Sequence, residues 1–311
     1  MLNRRHLRIR VLQFVYYWNK SKQIDLVAFE KEFLNSLRNV ESLYILMLMY
    51  LLELRIFSEN HIEGSKNKKL PSSKDLNPNN KFINNLFLKN LRDNSDLTMR
   101  VNTLKLSFSN ENFFIKDIYF EMLDSEIYKE YMSNNNTTYE DDKKFIINLF
   151  SKELIEMELF QEFFNKKDIF WEDDFPFVCN LVIKTIKESN YQRVNLHDFS
   201  NNKEEKDFSI DLLRNTIINS RKFSDLISSK TKNWDLERVA HIDLILMQMA
   251  LSELLKMPSV PVKVTINEYI ELAKYYSTPN SKSFVNGILD SLLIELRNKG
   301  SIKKIGRGLI E

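Results

Sequence analysis

The chain has 311 residues, of which 43% are hydrophobic and 12% aromatic, enough apolar side chains for one large domain or two smaller ones. Five glycines and six prolines are too few for the many tight turns of a β-sandwich or β-barrel. The net charge of +2 excludes nucleic-acid binding through overall charge, so such a function requires a local basic cluster.

Three features of the chain indicate its environment. Cys179 is the single cysteine, which excludes an internal disulfide and is typical of a reducing compartment; as a small hydrophobe it is expected to be buried. The most apolar run, residues 43–52, is about half the length of roughly 20 residues that a membrane span needs. Residues 1–10 are basic but do not lead into a secretory signal. We therefore expect a soluble, cytoplasmic protein.

An amphipathic helix is predicted over residues 4–19. Leu7, Val11 and Phe14 recur at steps of three and four residues, as on the buried face of a helix. The first half of this helix is rich in arginine: Arg4, Arg5, Arg8 and Arg10. The chain therefore opens with a cationic helix.

The middle of the chain alternates between apolar helical patterns and polar breaks. Helices are predicted at residues 26–38, 41–57, 81–92, 111–132, 143–165 and 176–189. Polar breaks are predicted at residues 58–80, 133–142 and 190–206. Pro176 is expected in the first turn of its helix, where a proline is tolerated.

The last hundred residues show the most regular patterns. Helices are predicted at residues 207–228, 236–256, 265–276 and 282–297, followed by a loose basic tail at 298–311. Thr265 and Glu268 have the spacing of a capping box, which predicts a helix start there. Gly287 indicates a close backbone approach to another helix or to a ligand, because glycine inside a helix costs about 1 kcal/mol relative to alanine.

The residues give little support for an enzyme. The four histidines (His6, His61, His197 and His241) lack metal-ligand spacing, and Cys179 has no cysteine companion. There is no glycine-rich phosphate-binding motif. The pair Asp173–Asp174 is interpreted as a solvated turn before a helix. We therefore expect no catalytic activity, no cofactor and no metal site.

Four segments carry a resemblance to a known family. Residues 262–276 read VKVTINEYIELAKYY, residues 281–290 read SKSFVNGILD, and residues 246–254 read LMQMALSEL; the opening helix has RRHLR followed by Gln13 and Tyr16. These segments resemble the "INE-x-x-ELAK", "S-x-x-FVNGVLD", "ILRLALYEL" and "RR-x-x-R…Q-x-x-Y" motifs of the NusB family. They occur in the family's order, within residues 1–20 and 205–297, about a third of the chain.

The resemblance implies an all-α fold of NusB-like helical bundles. Residues 1–20 together with 205–297 would form the RNA-binding core, and residues 21–204 a helical insertion, as in enlarged family members. It also implies a bacterial transcription antitermination factor. Such a factor binds the boxA segment of RNA jointly with the ribosomal protein called NusE, and helps RNA polymerase complexes read through terminators, notably in ribosomal RNA operons.

The opening helix supplies candidate RNA contacts. Arg4 and Arg8 are four residues apart and share a helix face, with Arg5 beside them. Their guanidinium groups can contact phosphates or stack on bases. Tyr16 follows Arg8 by two turns and can stack on a base. The alternative is a solvated basic face with Tyr16 at the edge of the core.

The start of the last helix supplies further candidates. Asn280, Lys282 and Phe284 lie at or near a helix N-terminus, which attracts anions. Phe284 can stack on a base or pack in the core. The resemblance places an acidic residue at the position of Asn280, and the amide found here removes a charge that would repel phosphate.

One residue is a candidate for contact with the protein partner. The resemblance implies that the acidic residue at Asp243 faces the ribosomal protein, whereas its neighbours Ile242 and Leu246 suggest a charge at the edge of a buried stripe. Gln248 stands where the family usually has arginine, so an ion pair there is not expected.

Two other functions remain open from the sequence. RNA cytosine methyltransferases carry a NusB-like helical domain before a long catalytic domain; because residues 298–311 are too few for such a domain, we do not expect this function. A helical scaffold that binds only protein would need no basic cluster, so Arg4, Arg5 and Arg8 argue against it.

Overall fold

The computed structural model describes residues 3–21, 25–134, 138–199, 203–231 and 239–309. These residues form fifteen α-helices and no strand. Asn190 and Arg193 form an isolated β-bridge. The predicted all-α fold is confirmed.

The helices have the following bounds, in chain order. They are α1 (Arg4–Lys20), α2 (Leu26–Lys66), α3 (Ser73–Leu76), α4 (Leu86–Arg92), α5 (Ser95–Leu104), α6 (Asn112–Asp124), α7 (Glu126–Ser133), α8 (Tyr139–Lys152), α9 (Glu158–Lys167), α10 (Trp171–Glu188), α11 (Lys203–Ile218), α12 (Ser220–Lys230), α13 (His241–Lys256), α14 (Val262–Tyr276) and α15 (Ser281–Asn298). Short 3₁₀ turns lie at Leu154–Glu156 and Gly306–Leu309.

The chain forms two compact units. The first contains Met1–Leu34 and Ser200–Glu311, so it joins the two ends of the sequence, and the second contains Asn35–Phe199. The sequence analysis ended the first segment of the core at residue 20, before α2. In the structure the first unit extends to Leu34 and so includes the opening turns of α2.

Helix α13 is the centre of the first unit. It packs against α1, α11, α12, α14 and α15. Its residues 245–254 are all buried, because apolar side chains occur on every side of the helix and not on one stripe. The helices around it must therefore supply partners for its few polar groups.

Helix α1 packs against α11 and α13. It begins after Asn3, whose side chain accepts a hydrogen bond from the N–H of His6 at 2.8 Å and so caps the helix. Its buried face contains Leu7, Val11 and Phe14, as the spacing predicts. The N-terminal helix is therefore packed against helices from the C-terminal part of the chain.

The second unit contains most of α2 and helices α3 to α10. Its core is aromatic: the rings of Phe114 and Phe163 stack with centroids 3.7 Å apart, and Tyr50 packs on Phe114 at 5.1 Å. The hydroxyl of Tyr44 lies 2.6 Å from that of Thr185 and joins α2 to α10.

Several expected helix boundaries are wrong. The helices expected at 26–38 and 41–57 are one helix, because no glycine or proline separates them and Val40 is buried. The helix expected at 143–165 is interrupted at Leu154–Glu156. Pro176 lies inside α10, which begins five residues earlier at Trp171.

The capping box expected at Thr265 is also wrong. Helix α14 begins at Val262, so Thr265 lies inside the helix and is buried. Its hydroxyl donates a hydrogen bond to Glu253 on α13 at 2.8 Å. Tertiary contact therefore decides the role of this side chain.

The basic tail expected to be loose is anchored as far as residue 309. The N–H of Ile305 donates to the carbonyl oxygen of Pro258 at 3.1 Å, and Gly308 is buried. Among the described residues, no helix is both long enough and apolar enough to cross a membrane.

Candidate nucleic-acid interface

Arg5 joins the opening helix to α14. Its Nε and Nη2 atoms donate to the two carboxylate oxygens of Glu268 at 3.0 and 3.1 Å, a bidentate pair. The hydrogen bond to Glu268 raises the pKa of Arg5. Because 46% of the Arg5 side chain is exposed, its guanidinium is accessible to a ligand.

Arg4 lies next to Arg5 but contacts a different helix. Its Nη2 atom is 2.6 Å from Oε1 of Glu204 on α11, and its guanidinium lies 4.9 Å from the ring centroid of Phe208. The side chain is partly exposed. Arg4 therefore packs on α11 and still borders solvent.

Arg8 does not lie on this surface. Only 2% of its side chain is exposed, and its Nε and Nη2 atoms donate to the carboxylate of Glu253 at 2.9 and 2.7 Å. Burial disfavours its charge, but the hydrogen bond and charge of Glu253 outweigh burial and raise the pKa of Arg8. The prediction that Arg8 contacts RNA is corrected here, because its guanidinium is buried and engaged.

Glu253 is the buried counter-ion that sequence reasoning missed. It is fully buried, and it also accepts hydrogen bonds from the hydroxyls of Thr265 at 2.8 Å and Tyr269 at 3.1 Å. The sequence did contain a signal for it: Glu253 lies among Leu251, Leu254 and Leu255, which indicates burial. A buried carboxylate needs a cationic partner elsewhere in the chain.

Tyr16 lies on the same side of α1 as Arg5. Eleven residues separate them, which is about three helical turns. The Tyr16 ring meets His241 at the start of α13 edge to face, with centroids 5.5 Å apart, and remains partly exposed. The sequence analysis grouped Tyr16 with Arg8. In the structure Tyr16 instead shares the exposed side of α1 with Arg5.

Asp243 is buried, with 3% of its surface exposed. Its Oδ2 atom accepts a hydrogen bond from the hydroxyl of Ser281 at 2.7 Å, which joins the starts of α13 and α15. Its buried Oδ1 atom has no hydrogen-bond partner among the described residues. The expectation that Asp243 presents a charge to a protein partner is corrected, because no exposed carboxylate is available there.

The start of α15 exposes most of the residues that the sequence selected. Asn280 and Lys282 are exposed, and Phe284 is half-buried. Asn280, Phe284 and Gly287 are spaced at four and three residues, so they share one helix face. A Cβ atom at Gly287 would have no neighbour within 4 Å, so packing against another helix does not explain this glycine.

Helix α14 links Arg5 to the start of α15. Glu268 and Glu271 are one turn apart; Arg5 binds Glu268 and also interacts with the charge of Glu271. Lys282 Nζ lies 3.9 Å from Glu271 Oε1. Arg5 and Lys282 therefore flank the same row of side chains, and the two ends of the chain contribute to one surface.

We call this surface the α1–α15 face. It is defined by the sequence-selected residues that are at least partly exposed, and the contacts above place Arg5 and Lys282 beside the same part of α14. Its six residues are Arg4, Arg5, Tyr16, Asn280, Lys282 and Phe284. It offers three cations, two aromatic rings and an amide at a helix N-terminus. No group of three or more histidine, cysteine, aspartate or glutamate residues that could hold a metal ion occurs in the described part of the chain.

Comparisons with known proteins identify relatives of this chain. A family model described as the NusB family matches residues 178–293. The transcription antitermination protein NusB of Salinibacter ruber is 45% identical over 105 residues, covering 34% of this chain and 66% of that protein. That of Chloroherpeton thalassium is 45% identical over 106 residues, covering 34% and 50%, and that of Geobacter sulfurreducens is 40% identical over 95 residues, covering 30% and 69%.

The chain is an all-helical member of a family of transcription factors. It belongs to the NusB family. Its match spans 66% and 50% of the length of the first two relatives, and the family match begins inside α10. A solved structure of NusB from T. maritima is 29% identical, covers 49% of this chain and 91% of that chain, and has a TM-score of 0.30.

Proposed function

We propose that this protein is a cytoplasmic, non-enzymatic transcription antitermination factor that binds boxA-type RNA together with a NusE-type ribosomal protein. In this role it supports read-through by the RNA polymerase antitermination complex, notably in ribosomal RNA operons. The relatives named above are transcription antitermination proteins. The observation that carries the proposal is the Arg5–Glu268 pair, because it joins the cationic opening helix to α14, whose Glu271 lies 3.9 Å from Lys282 at the start of α15.

The α1–α15 face has the chemistry that single-stranded RNA requires. Arg4, Arg5 and Lys282 supply phosphate contacts, which provide affinity without reading sequence. Phe284 and Tyr16 offer ring faces on which unstacked bases can stack. The open space beside Gly287 lets a base approach the backbone of α15 next to Phe284.

A phosphate that binds Arg5 meets a carboxylate that is already bound there. The guanidinium of Arg5 is held by Glu268, so a phosphate replaces Glu268 or shares Arg5 with it. Since an exposed ion pair contributes only about 0–1 kcal/mol, the exchange costs little. Phosphate contact at Arg5 is therefore compatible with the pair seen in the free protein.

Arg8 and Asp243 support the face from within. Arg8 fixes α1 on α13 through Glu253, and Asp243 fixes the start of α15 through Ser281. Neither residue is assigned a direct contact with RNA or partner. Residues 21–204, which include the second unit, are proposed to be a helical insertion into the family's core, and the family model matches the end of this range from residue 178.

An RNA-binding titration tests the proposal. Fluorescence anisotropy of a labelled boxA-type oligonucleotide is compared with that of a scrambled oligonucleotide of the same composition, with and without a NusE-type ribosomal protein. We expect tighter binding to the boxA-type RNA, strengthened by the ribosomal protein. Equal binding to both RNAs would contradict the proposal, and a complex with the ribosomal protein that binds neither RNA would identify a protein-only scaffold.

A further inference from the structure

The tail after α15 follows a defined path over the loop between α13 and α14. The ammonium group of Lys304 donates to the carbonyl oxygens of Glu253 and Met257 at 3.2 and 3.0 Å. The N–H of Ile305 donates to the carbonyl oxygen of Pro258 at 3.1 Å. The tail is therefore fastened to the C-terminal end of α13.

Two glycines fix the end of this path. Gly306 has a φ of +53°, a backbone conformation that residues other than glycine rarely adopt. A Cβ atom at Gly308 would lie 2.0 Å from the carbonyl oxygen of Pro258, so only glycine fits against this loop. Arg307 lies between these glycines, and its side chain is exposed.

Besides Lys304, four cations lie within a few residues of this junction in the sequence, and we call these four the tail patch. They are Lys256, Lys263, Lys303 and Arg307. Lys256 and Lys263 lie two residues before and five residues after Pro258, and Lys303 and Arg307 directly adjoin tail residues that touch the loop. All four are exposed, and none forms an ion pair with a described residue.

The carboxylates nearest in sequence to Lys256 and Lys263 are already paired. Glu253 binds Arg8 through its side chain, and Glu268 binds Arg5. The backbone of Glu253 accepts the hydrogen bond from Lys304. Within the part of the chain that the structure describes, the tail patch is therefore a cluster of unpaired positive charges, and it begins at the end of α13 to which Arg8 of α1 is bound.

We propose that the tail patch binds the phosphate backbone of the RNA beyond the segment held by the α1–α15 face. This inference rests on the proposed function for the identity of the RNA. Exposed lysines are point charges that neutralise phosphates without reading bases, so this contact is independent of sequence. Lys303 and Arg307 lie after residues 178–293, which the family model matches, whereas Lys256 and Lys263 lie within them.

The test uses the full chain and two RNAs. One is a short boxA-type oligonucleotide, and the other carries the same boxA-type segment followed by a uridine tract. Lys303→Ala/Arg307→Ala removes two charges of the tail patch. Arg92→Ala/Lys184→Ala is the matched control, since it removes two exposed charges from the second unit.

Each phosphate contact to single-stranded RNA contributes about 0.7 to the slope of log K against log salt concentration. Lys303→Ala/Arg307→Ala should therefore flatten this slope by about 1.4 on the long RNA and weaken binding by about 25-fold at 0.1 M salt. Binding to the short RNA should not change. Gly308→Ala keeps every charge but displaces the tail from Pro258. Like the double variant, it should therefore weaken binding to the long RNA.

The outcomes separate this inference from the proposed function. If the parent prefers boxA-type RNA but the tail variant equals the control on the long RNA, the tail patch is overturned and the proposed function stands. If the parent shows no boxA preference but binding to the long RNA still depends on Lys303 and Arg307, the tail patch stands and the proposed function falls. Absence of RNA binding overturns both.

Discussion

Arg8 and Glu253 lie 245 residues apart in the sequence and form a bidentate ion pair in the interior of the first unit. The pair joins the first helix of the chain to α13, and Thr265 and Tyr269 add hydrogen bonds from α14. Three helices thus meet at one carboxylate. The exposed Arg5–Glu268 pair lies beside it, because Arg8 Nη1 is also 3.7 Å from Glu268.

Arg8→Met should lower the free energy of unfolding by about 3–5 kcal/mol, because it leaves the buried carboxylate of Glu253 without a counter-ion. Urea denaturation measures the change. The matched control is Arg5→Met, which breaks an exposed pair and should cost about 1 kcal/mol or less. The double variant Arg8→Met/Glu253→Gln should recover part of the loss. Equal destabilisation by Arg8→Met and Arg5→Met would show that the buried pair has no special role.

Glu268→Gln should strengthen RNA binding roughly threefold, in line with the 0.2–1 kcal/mol of an exposed pair. The reason is that the carboxylate of Glu268 competes with phosphate for Arg5. Anisotropy titrations at low salt provide the measurement. Glu30→Gln is the control, since Glu30 holds Arg214 by a similar bidentate pair at 2.7 and 2.6 Å. An affinity that falls, or that rises equally in the control, argues against RNA contact at Arg5.

Asn280→Asp should change stability and RNA affinity in opposite directions. A negative charge at the start of α15 interacts favourably with the helix dipole and should stabilise the fold by about 0.3–1 kcal/mol. The same charge repels phosphate and should weaken RNA binding. Thermal unfolding and RNA titration are measured on one preparation, with Asn280→Ala as the uncharged control. Unchanged RNA affinity in the stabilised variant would place the RNA away from α15.

Cys179 should be unreactive in the native protein. Burial raises the pKa of its thiol to about 12, so the reactive thiolate is scarce at pH 8. We expect slow reaction with a disulfide reagent in buffer and fast reaction in urea, because the second unit must open first. Absorbance of the released chromophore follows the reaction. A full equivalent released within seconds from the native protein would show that Cys179 is accessible.

Local patterns predicted the helices at the two ends of the chain well. The three- and four-residue spacing of Leu7, Val11 and Phe14 gave α1 almost to the residue. Helix α15 differs from its prediction by one residue at each end. Both helices have one strongly apolar face, so local sequence carries enough information.

The roles of the charged residues depend on distant partners. Helical geometry places Arg4 and Arg8 on one side of α1, but it does not tell which of them points into the molecule. That choice is made by Glu253, which is buried on α13 far along the chain. Asp243 was misassigned for the same reason, since Ser281 on α15 provides its hydrogen bond. Sequence spacing alone contains neither relationship.

The salt dependence of RNA binding by Arg5→Ala tests the central claim most directly. Arg92→Ala is the control, because Arg92 is 50% exposed and paired with a carboxylate, much like Arg5. Arg5→Ala should weaken binding to boxA-type RNA and flatten the slope against log salt concentration by about 0.7, whereas the control keeps both values of the parent. If Arg5→Ala and Arg92→Ala bind this RNA with the affinity and slope of the parent, the α1–α15 face is not where the RNA binds.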